Sequence, residues 1–218
     1  MALAIFDLDN TLLHGDSEIL WWNFLARQKR VTKNGFALAR EAVKQQSSGK
    51  ELDIIAYVSC SLPSLLIDNK ANLLALRDQY MQECIIPAIP SKTRQLLNKH
   101  RQARDFLLII TATNRFLAQP IADLLDVDDL IATELEEINN QFTGKIVGVP
   151  SFREGKVKRL LTWLETNPYD MHDSYFYSDS HHDLPLLDFV SHPVAANPLP
   201  ELARLAQERG WPIISLHD

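Results

Sequence analysis

A chain of 218 residues, 46% hydrophobic and 23% charged, has the composition of an ordinary globular protein, with length for one medium domain or a core with a smaller insert. A formal net charge of -6 argues against a general nucleic-acid-binding surface or one made for anionic membranes. The two cysteines, Cys60 and Cys84, lack metal-ligand and Cys-x-x-Cys spacing, which fits a reduced cytoplasmic protein. No apolar run reaches the length of a membrane span, and Asp7 interrupts the only stretch that could serve as a signal peptide.

In chain order, the short apolar run Leu3 to Phe6 predicts a fully buried strand. It stops at Asp7 and Asp9, followed by Asn10 and Thr11. A turn-forming Asp-Asn pair would account for such a strand end. So would a chemical role, since the carboxyl edge of a parallel sheet is where α/β proteins place their chemistry. Asp16-Ser17 then caps a predicted helix with Glu18 in its first turn and Ile19, Trp22, Phe24 and Leu25 along one side. A second helix is expected after Asn34, then a loop over Gln45 to Gly49. Helical patterns resume from Glu51 to Ser61 and from Pro63 to about Met81. No strand is expected between Asp16 and Cys84, so this stretch reads as an all-helical insert.

Pro87 and Pro90 mark the return. Ser91 to His100 reads as a helix with Leu96 and Leu97 inward. Phe106 to Ile110 is a second buried strand, running into Thr111-Ala112-Thr113-Asn114, where a helix begins that carries Phe116, Leu117, Ile121 and Leu124. Asp128 to Thr133 leads into a third strand, and Thr133 to Ile138 with Phe142 to Val147 predicts a hairpin around Asn139-Asn140. Gly155-Lys156 opens a helix with Val157, Leu160, Leu161 and Leu164 inward. Ser174 to Tyr177 is a short strand ending in Ser178-Asp179-Ser180-His181-His182-Asp183, with a short helix over Leu184 to Phe189 and late strands at Val194-Ala195 and Ile213-Ile214. Alternating strands and helices imply an α/β fold with a parallel sheet and right-handed crossovers.

Four polar groups follow these segments in order: Asp7 with Asp9, Thr111, Lys156, and Asp179 with Asp183. Each has an ordinary explanation, as a helix cap, a solvated lysine or a loop cap. Together they have the makings of a phosphoryl-transfer site. Acids bind Mg²⁺, a hydroxyl and an ammonium bind phosphate oxygens, and one acid is left to attack.

Phe6-Asp7-Leu8-Asp9-Asn10-Thr11-Leu12, Ile110-Thr111, Gly155-Lys156 and Tyr177-Ser178-Asp179 through Asp183-Leu184-Pro185 resemble the ordered motifs of the haloacid dehalogenase superfamily. The helical insert resembles the cap of the phosphoserine phosphatase-like branch. Ile109 to Phe116 and Phe152 to Val157 are similar to a bacterial subgroup described as histidinol-phosphatases. The resemblance implies a Rossmann-like core with helices on both faces, residues 1–15 and 86–218, and a small helical cap inserted after the first strand, residues 16–85. It implies a Mg²⁺-dependent phosphomonoesterase acting on a small-molecule phosphate ester, with no nucleic-acid or membrane partner. Asp7 would be the nucleophile and a metal ligand, and Asp179 a second carboxylate ligand. Asp9 would lend its backbone carbonyl to the metal and its side chain as acid and base. Thr111 and Lys156 would hold the phosphoryl oxygens, and Asp183 would hold the metal's waters or orient Lys156.

Asp16, Ala112, Asn114 and His182 are the residues expected at the substrate, with Arg115 also in reach. The same branch reads a substrate carboxylate with a cap arginine, and the matching stretch, Ile54 to Leu62, has none. Histidinol phosphate has an ammonium and no carboxylate, and is the leading substrate; phosphoserine and other small metabolites are alternatives. Phosphotransfer to an alcohol and a non-catalytic binding role on the same scaffold are the other readings. Trp21 and Trp22 would stack on a substrate ring or pack the interior, and the His181-His182 pair lacks a third ligand for zinc.

Overall fold

The computed structural model describes residues 2–46 and 53–217. It is an α/β fold built on one seven-stranded sheet in the order β4-β3-β2-β1-β5-β6-β7. The strands are β1 (Leu3–Phe6), β2 (Phe106–Asn114), β3 (Asp129–Ile138), β4 (Gln141–Val147), β5 (Tyr175–Ser178), β6 (His192–Ala196) and β7 (Ile213–Ile214). All pairings are parallel except β3 with β4, the hairpin closed by Asn139-Asn140, both with positive φ. The two segments read separately as Asp128 to Thr133 and Thr133 to Ile138 are one strand.

The helices are α1 (Ser17–Arg27), α2 (Gly35–Gln46), α3 (Ile54–Val58), α4 (Lys70–Tyr80), α5 (Ser91–Ala103), α6 (Arg115–Leu125), α7 (Glu154–Leu164), α8 (Leu184–Leu187) and α9 (Pro200–Arg209). The last has no counterpart in the sequence reading. Among the described residues no strand lies between Asp16 and Cys84, as expected. Gln45 and Gln46 belong to α2 and not to a loop. Ser47 to Gly49 and Glu51 lie outside the described residues.

The sheet has alternating faces, and each is covered. On one, Ala4, Phe6, Leu107, Ile109 and Tyr177 pack with residues of α1, α4, α5 and α6. On the other, Leu3, Ile5, Leu108, Ile110 and Phe176 pack with Leu160, Leu186, Leu187 and Leu202 of α7, α8 and α9. A parallel sheet buried on both faces needs continuous apolar strands, which the central strands supply. The helical insert shares the first of these cores through Trp21, Phe24, Leu62, Leu65 and Tyr80, while Trp22, Phe36 and Cys60 form a small cluster of their own.

Some facing residues differ from expectation. Ile19 is 44% exposed, whereas Ser17, Glu18, Trp21, Trp22, Phe24 and Leu25 are buried. The buried face of α1 therefore includes polar groups at the end nearest β1, which shifts it away from the face its apolar residues alone would mark. Leu161 is likewise exposed on α7. Neither α1 nor any other described helix is long and apolar enough to cross a membrane.

β1 sits between β2 and β5, so successive crossovers leave it in opposite directions. That is the switch point of the sheet, where a crevice opens beyond the carboxyl ends of the strands.

Candidate active site

β1, β2 and β5 are adjacent, and neighbouring strands run about 4.8 Å apart, so polar residues at their carboxyl ends are brought together without any loop searching for them. Asp7 follows β1, Thr111 lies in β2 where its register with β3 shifts, and Asp179 follows β5. The Asp7 backbone N–H donates to the Tyr177 carbonyl at 2.9 Å, which ties the first strand end to the third. Asn10 then takes φ 57°, a left-handed conformation that Asn tolerates, and the chain turns so that Thr11 faces back. The fully buried Thr11 hydroxyl accepts the Asp179 N–H at 3.0 Å and lies 3.5 Å from Asp7 Oδ2 and 3.4 Å from Asp179 Oδ1. Asn197 pins this turn by donating to the carbonyls of Asn10 and Thr11 at 3.0 Å each.

Lys156 enters from the first turn of α7. A Cβ on Gly155 would stand 2.1 Å from the Pro150 carbonyl oxygen, so only glycine allows this approach. Arg153, at φ 51° and ψ −126°, holds a strained turn just before it. Lys156 is 2% exposed, and its ammonium donates to Asp7 Oδ1 and Asp183 Oδ2, both at 2.7 Å. The Ser178 hydroxyl donates to the same Asp183 oxygen at 2.7 Å. Asp183 thus meets Lys156 and Ser178 through one oxygen.

The charges do not balance. Asp7, Asp179 and Asp183 are buried around the single ammonium of Lys156. Burial pushes Asp7 up to about 7 against the pull of Lys156, with Asp183 adding repulsion. Burial pushes Asp179 up to about 8, with Asp7 and Asp183 adding to it. Burial works against the charge of Lys156, but Asp183 and Asp7 outweigh it and hold the ammonium above its usual value. Surplus buried carboxylate of this kind could hold a hard divalent cation such as Mg²⁺. No three His, Cys, Asp or Glu side chains among the described residues converge as a metal centre.

Asp9, half-buried in the cavity wall, accepts from the Ser17 N–H through Oδ1 and from the Thr113 hydroxyl through Oδ2, both at 2.6 Å. Burial, helped by repulsion from Asp16, pushes its carboxyl up to about 7. Such a group holds or releases a proton near neutrality, the property an acid–base catalyst needs.

These groups form the floor of a cavity of about 190 Å³. Its upper part is lined by Asp16, Glu18, Arg40, Tyr57, Phe152 and His182. Asp16 caps α1 by accepting from the Ile19 N–H at 2.9 Å. Its other oxygen takes an Arg40 N–H at 3.1 Å, and a second Arg40 N–H goes to Glu18 at 3.2 Å. Glu18 also accepts from the Ser61 hydroxyl at 2.7 Å and the Asn114 amide at 3.1 Å. Burial raises its carboxyl against the opposing charge of Arg40. His182 lies 3.3 Å from Arg153, and burial pulls its ring down to about 4, with His181 and Arg153 repelling its charge.

Of the residues expected from the sequence, Asp7, Asp9, Asp16, Thr111, Ala112, Lys156, Asp179, His182 and Asp183 line this cavity. Asn114 does not. It caps α6 by accepting from the Leu117 N–H at 3.2 Å and spends its amide on Glu18. Arg115 is also turned away, onto Glu134 and the Leu130 carbonyl. Trp21 and Trp22 are packing residues, their indole N–H groups donated to Ser64 Oγ and the Thr32 carbonyl. His181 meets Glu201 at 3.2 Å, not a metal cluster. The stretch Ile54 to Leu62 has no arginine, but Arg40 of α2, outside that stretch, lines the cavity. The holders Thr11, Ser17, Thr113 and Ser178 were also missed. Each looks like a turn or cap residue in one dimension.

Residues 4–188 match the haloacid dehalogenase-like hydrolase family. A histidinol-phosphatase from Neisseria meningitidis serogroup C is 38% identical over 217 residues, covering 98% of both chains. Phosphoserine phosphatase SerB1 from Mycobacterium tuberculosis is 34% identical over 217 residues, covering 97% of this chain and 70% of that one. A crystal structure of a protein of unknown function from Bordetella pertussis superposes with a TM-score of 0.89 at 40% identity, covering 99% of this chain and 98% of the other.

Proposed function

The chain belongs to the haloacid dehalogenase-like hydrolases and is a phosphatase, and from that premise we propose that it is a Mg²⁺-dependent phosphomonoesterase working through an aspartyl-phosphate on Asp7, with histidinol phosphate as its substrate. The observation that carries the reading is the pairing of Lys156 with Asp7 and Asp183, 2.7 Å from each, at the floor of the cavity. In this reading residues 16–85 are a cap over a core made of 1–15 and 86–218.

An oxygen of Asp7 attacks phosphorus while the bond to the leaving oxygen breaks, and Lys156 and Thr111 hold the phosphoryl oxygens as charge spreads over them. Asp9 gives its proton to the departing alkoxide. It then takes a proton from the water that attacks phosphorus in the second step, which frees Asp7 and phosphate. The Thr113 hydroxyl and the Ser17 N–H keep the Asp9 carboxyl in place through both steps. Mg²⁺ would be held by the carboxylates of Asp7 and Asp179 and the backbone carbonyl of Asp9, and supplies the positive charge that lets a carboxylate approach a phosphate dianion. Asp183 acts on Lys156, and Asp16 and Glu18 give the upper cavity the negative charge that suits a substrate ammonium.

A specific observation favours a second substrate. Arg40 in the cavity is the kind of group that would read the carboxylate of phosphoserine, and a phosphoserine phosphatase is among the relatives. It already faces two carboxylates, Asp16 and Glu18, beside which a third is poorly placed, and this favours histidinol phosphate. The test is phosphate release with Mg²⁺ from histidinol phosphate, phosphoserine and sugar phosphates, with Asp7→Asn as the blank. A kcat/KM highest for histidinol phosphate supports the assignment. A preference for phosphoserine replaces it, and release unaffected by Asp7→Asn sinks the mechanism.

A further inference from the structure

The floor of the cavity accounts for the transferred phosphoryl group and leaves the rest of the substrate to the upper wall. That wall is built from a continuous ladder of flat groups. Phe36 and Arg40 of α2 are 4.4 Å apart, measured from guanidinium carbon to ring centre, and Arg40 stands 4.9 Å over the ring of Tyr57. Tyr57 of α3 meets Phe152, in the loop before α7, with ring centres 5.7 Å apart at 31°. Phe152 in turn meets His182 at 5.3 Å. Of these, Arg40, Tyr57, Phe152 and His182 line the cavity. The ladder is assembled from both sides of the crevice, since Tyr57 comes from the helical insert and Phe152 from the segment between β4 and α7.

Two features say what this wall would take. Rings whose centres are 5.7 Å apart already touch, so nothing slides between Tyr57 and Phe152. A ligand ring would lie against the side of the pair that faces the cavity, where stacking favours a flat ring. The charges beside the pair agree. Asp16 and Glu18 share the guanidinium of Arg40 and put two carboxylates in this wall to face the ammonium of an amino alcohol, while Arg40 and Lys44 over Tyr57 and Arg153 over Phe152 already supply those rings with cations.

We propose that Tyr57 and Phe152 are the residues that select the leaving group, and that they select a flat ring on an amino alcohol. The inference rests on the phosphatase reading and narrows it from a compound to the groups that recognise the compound. Tyr57 and Phe152 are specificity residues and take no part in the bond changes.

The experiment compares kcat and KM on two esters that differ only in the ring, histidinol phosphate and 2-aminopropyl phosphate, for the wild type, Tyr57→Leu, Phe152→Leu and Tyr57→Phe. In the wild type the ring-bearing ester should be favoured in kcat/KM. Each leucine variant should lower that preference by about tenfold, mostly through KM, and Tyr57→Phe should restore most of it because the stacking face is kept. Equal losses on both esters in a leucine variant, with Tyr57→Phe no better, would mean a structural role and overturn the proposal. A wild type that favours neither ester also overturns it, and leaves the phosphatase assignment standing. A wild type that releases phosphate from neither ester overturns both together.

Discussion

The floor and the mouth of the cavity are held in different ways. At the floor, Asp7, Thr111 and Asp179 come from the ends of three adjacent strands, and the Lys156 ammonium is held by two carboxylates at once. Asp183 alone receives Lys156 and Ser178 at 2.7 Å. At the mouth, Asp16 and Glu18 come from the start of α1, Arg40 from α2, Tyr57 from α3 and Phe152 from a loop. These are separate pieces joined by ion pairs and ring contacts. Chemistry needs reacting groups held to within a fraction of an ångström, which a sheet provides. Selectivity needs groups that differ between relatives and substrates, and short helices in an insert supply them without disturbing the floor.

The comparison breaks most easily at Asp7. Phosphate release by Asp7→Asn should fall by at least ~10⁴-fold, since a neutral amide is no nucleophile. In metal-free buffer the same variant should melt no lower than the wild type, because burial already disfavours the Asp7 charge. A retained rate would show that the floor is not the site of chemistry.

Asp183→Asn should lower kcat by roughly 10–100-fold with little change in KM, because Lys156 loses its second anchor while the substrate-binding wall is untouched. An effect confined to KM would place Asp183 with the mouth. Mg²⁺ at about 100 times its Kd should stabilise the wild type by roughly 2.7 kcal/mol, and Asp179→Asn by much less. For a chain of this length that is a rise in Tm of roughly 5–10 °C by scanning calorimetry. Equal shifts would remove Asp179 from the cation's ligands. The smallest effect belongs to Lys70→Met. Its bridge to Glu137 at 2.6 Å is partly solvated and remote from the cavity, so it should move stability by at most ~1 kcal/mol. Phosphate release should stay as in the wild type, and a larger loss would mean that this edge of the insert matters to the mouth.

The floor was legible in one dimension because its acids, threonine and lysine each sit at the end of a strand or the start of a helix, and both elements have strong local patterns. Two acids after an apolar run, a threonine after another and a Gly-Lys helix start keep their meaning wherever the sheet places them. The mouth was not legible. Arg40 reads as one more charge on an amphipathic helix, and Tyr57 and Phe152 as ordinary apolar residues separated by nearly a hundred positions. Glu18 hid for a related reason, since the buried side of α1 includes polar residues that break its apolar period. Asn114, beside the threonine motif and open to either a substrate contact or a place in the first helical turn, caps α6.

The residues by themselves determined the α/β class, the helical insert and the order of reactive groups, because strand burial, helix capping and residue chemistry act over a few neighbouring positions. Only the tertiary structure decided which side chains meet. The Lys156 bridge between Asp7 and Asp183, the sharing of Arg40 by Asp16 and Glu18, and the contact of Tyr57 with Phe152 all join distant segments. Such meetings are set by the packing of whole elements, which no local pattern encodes.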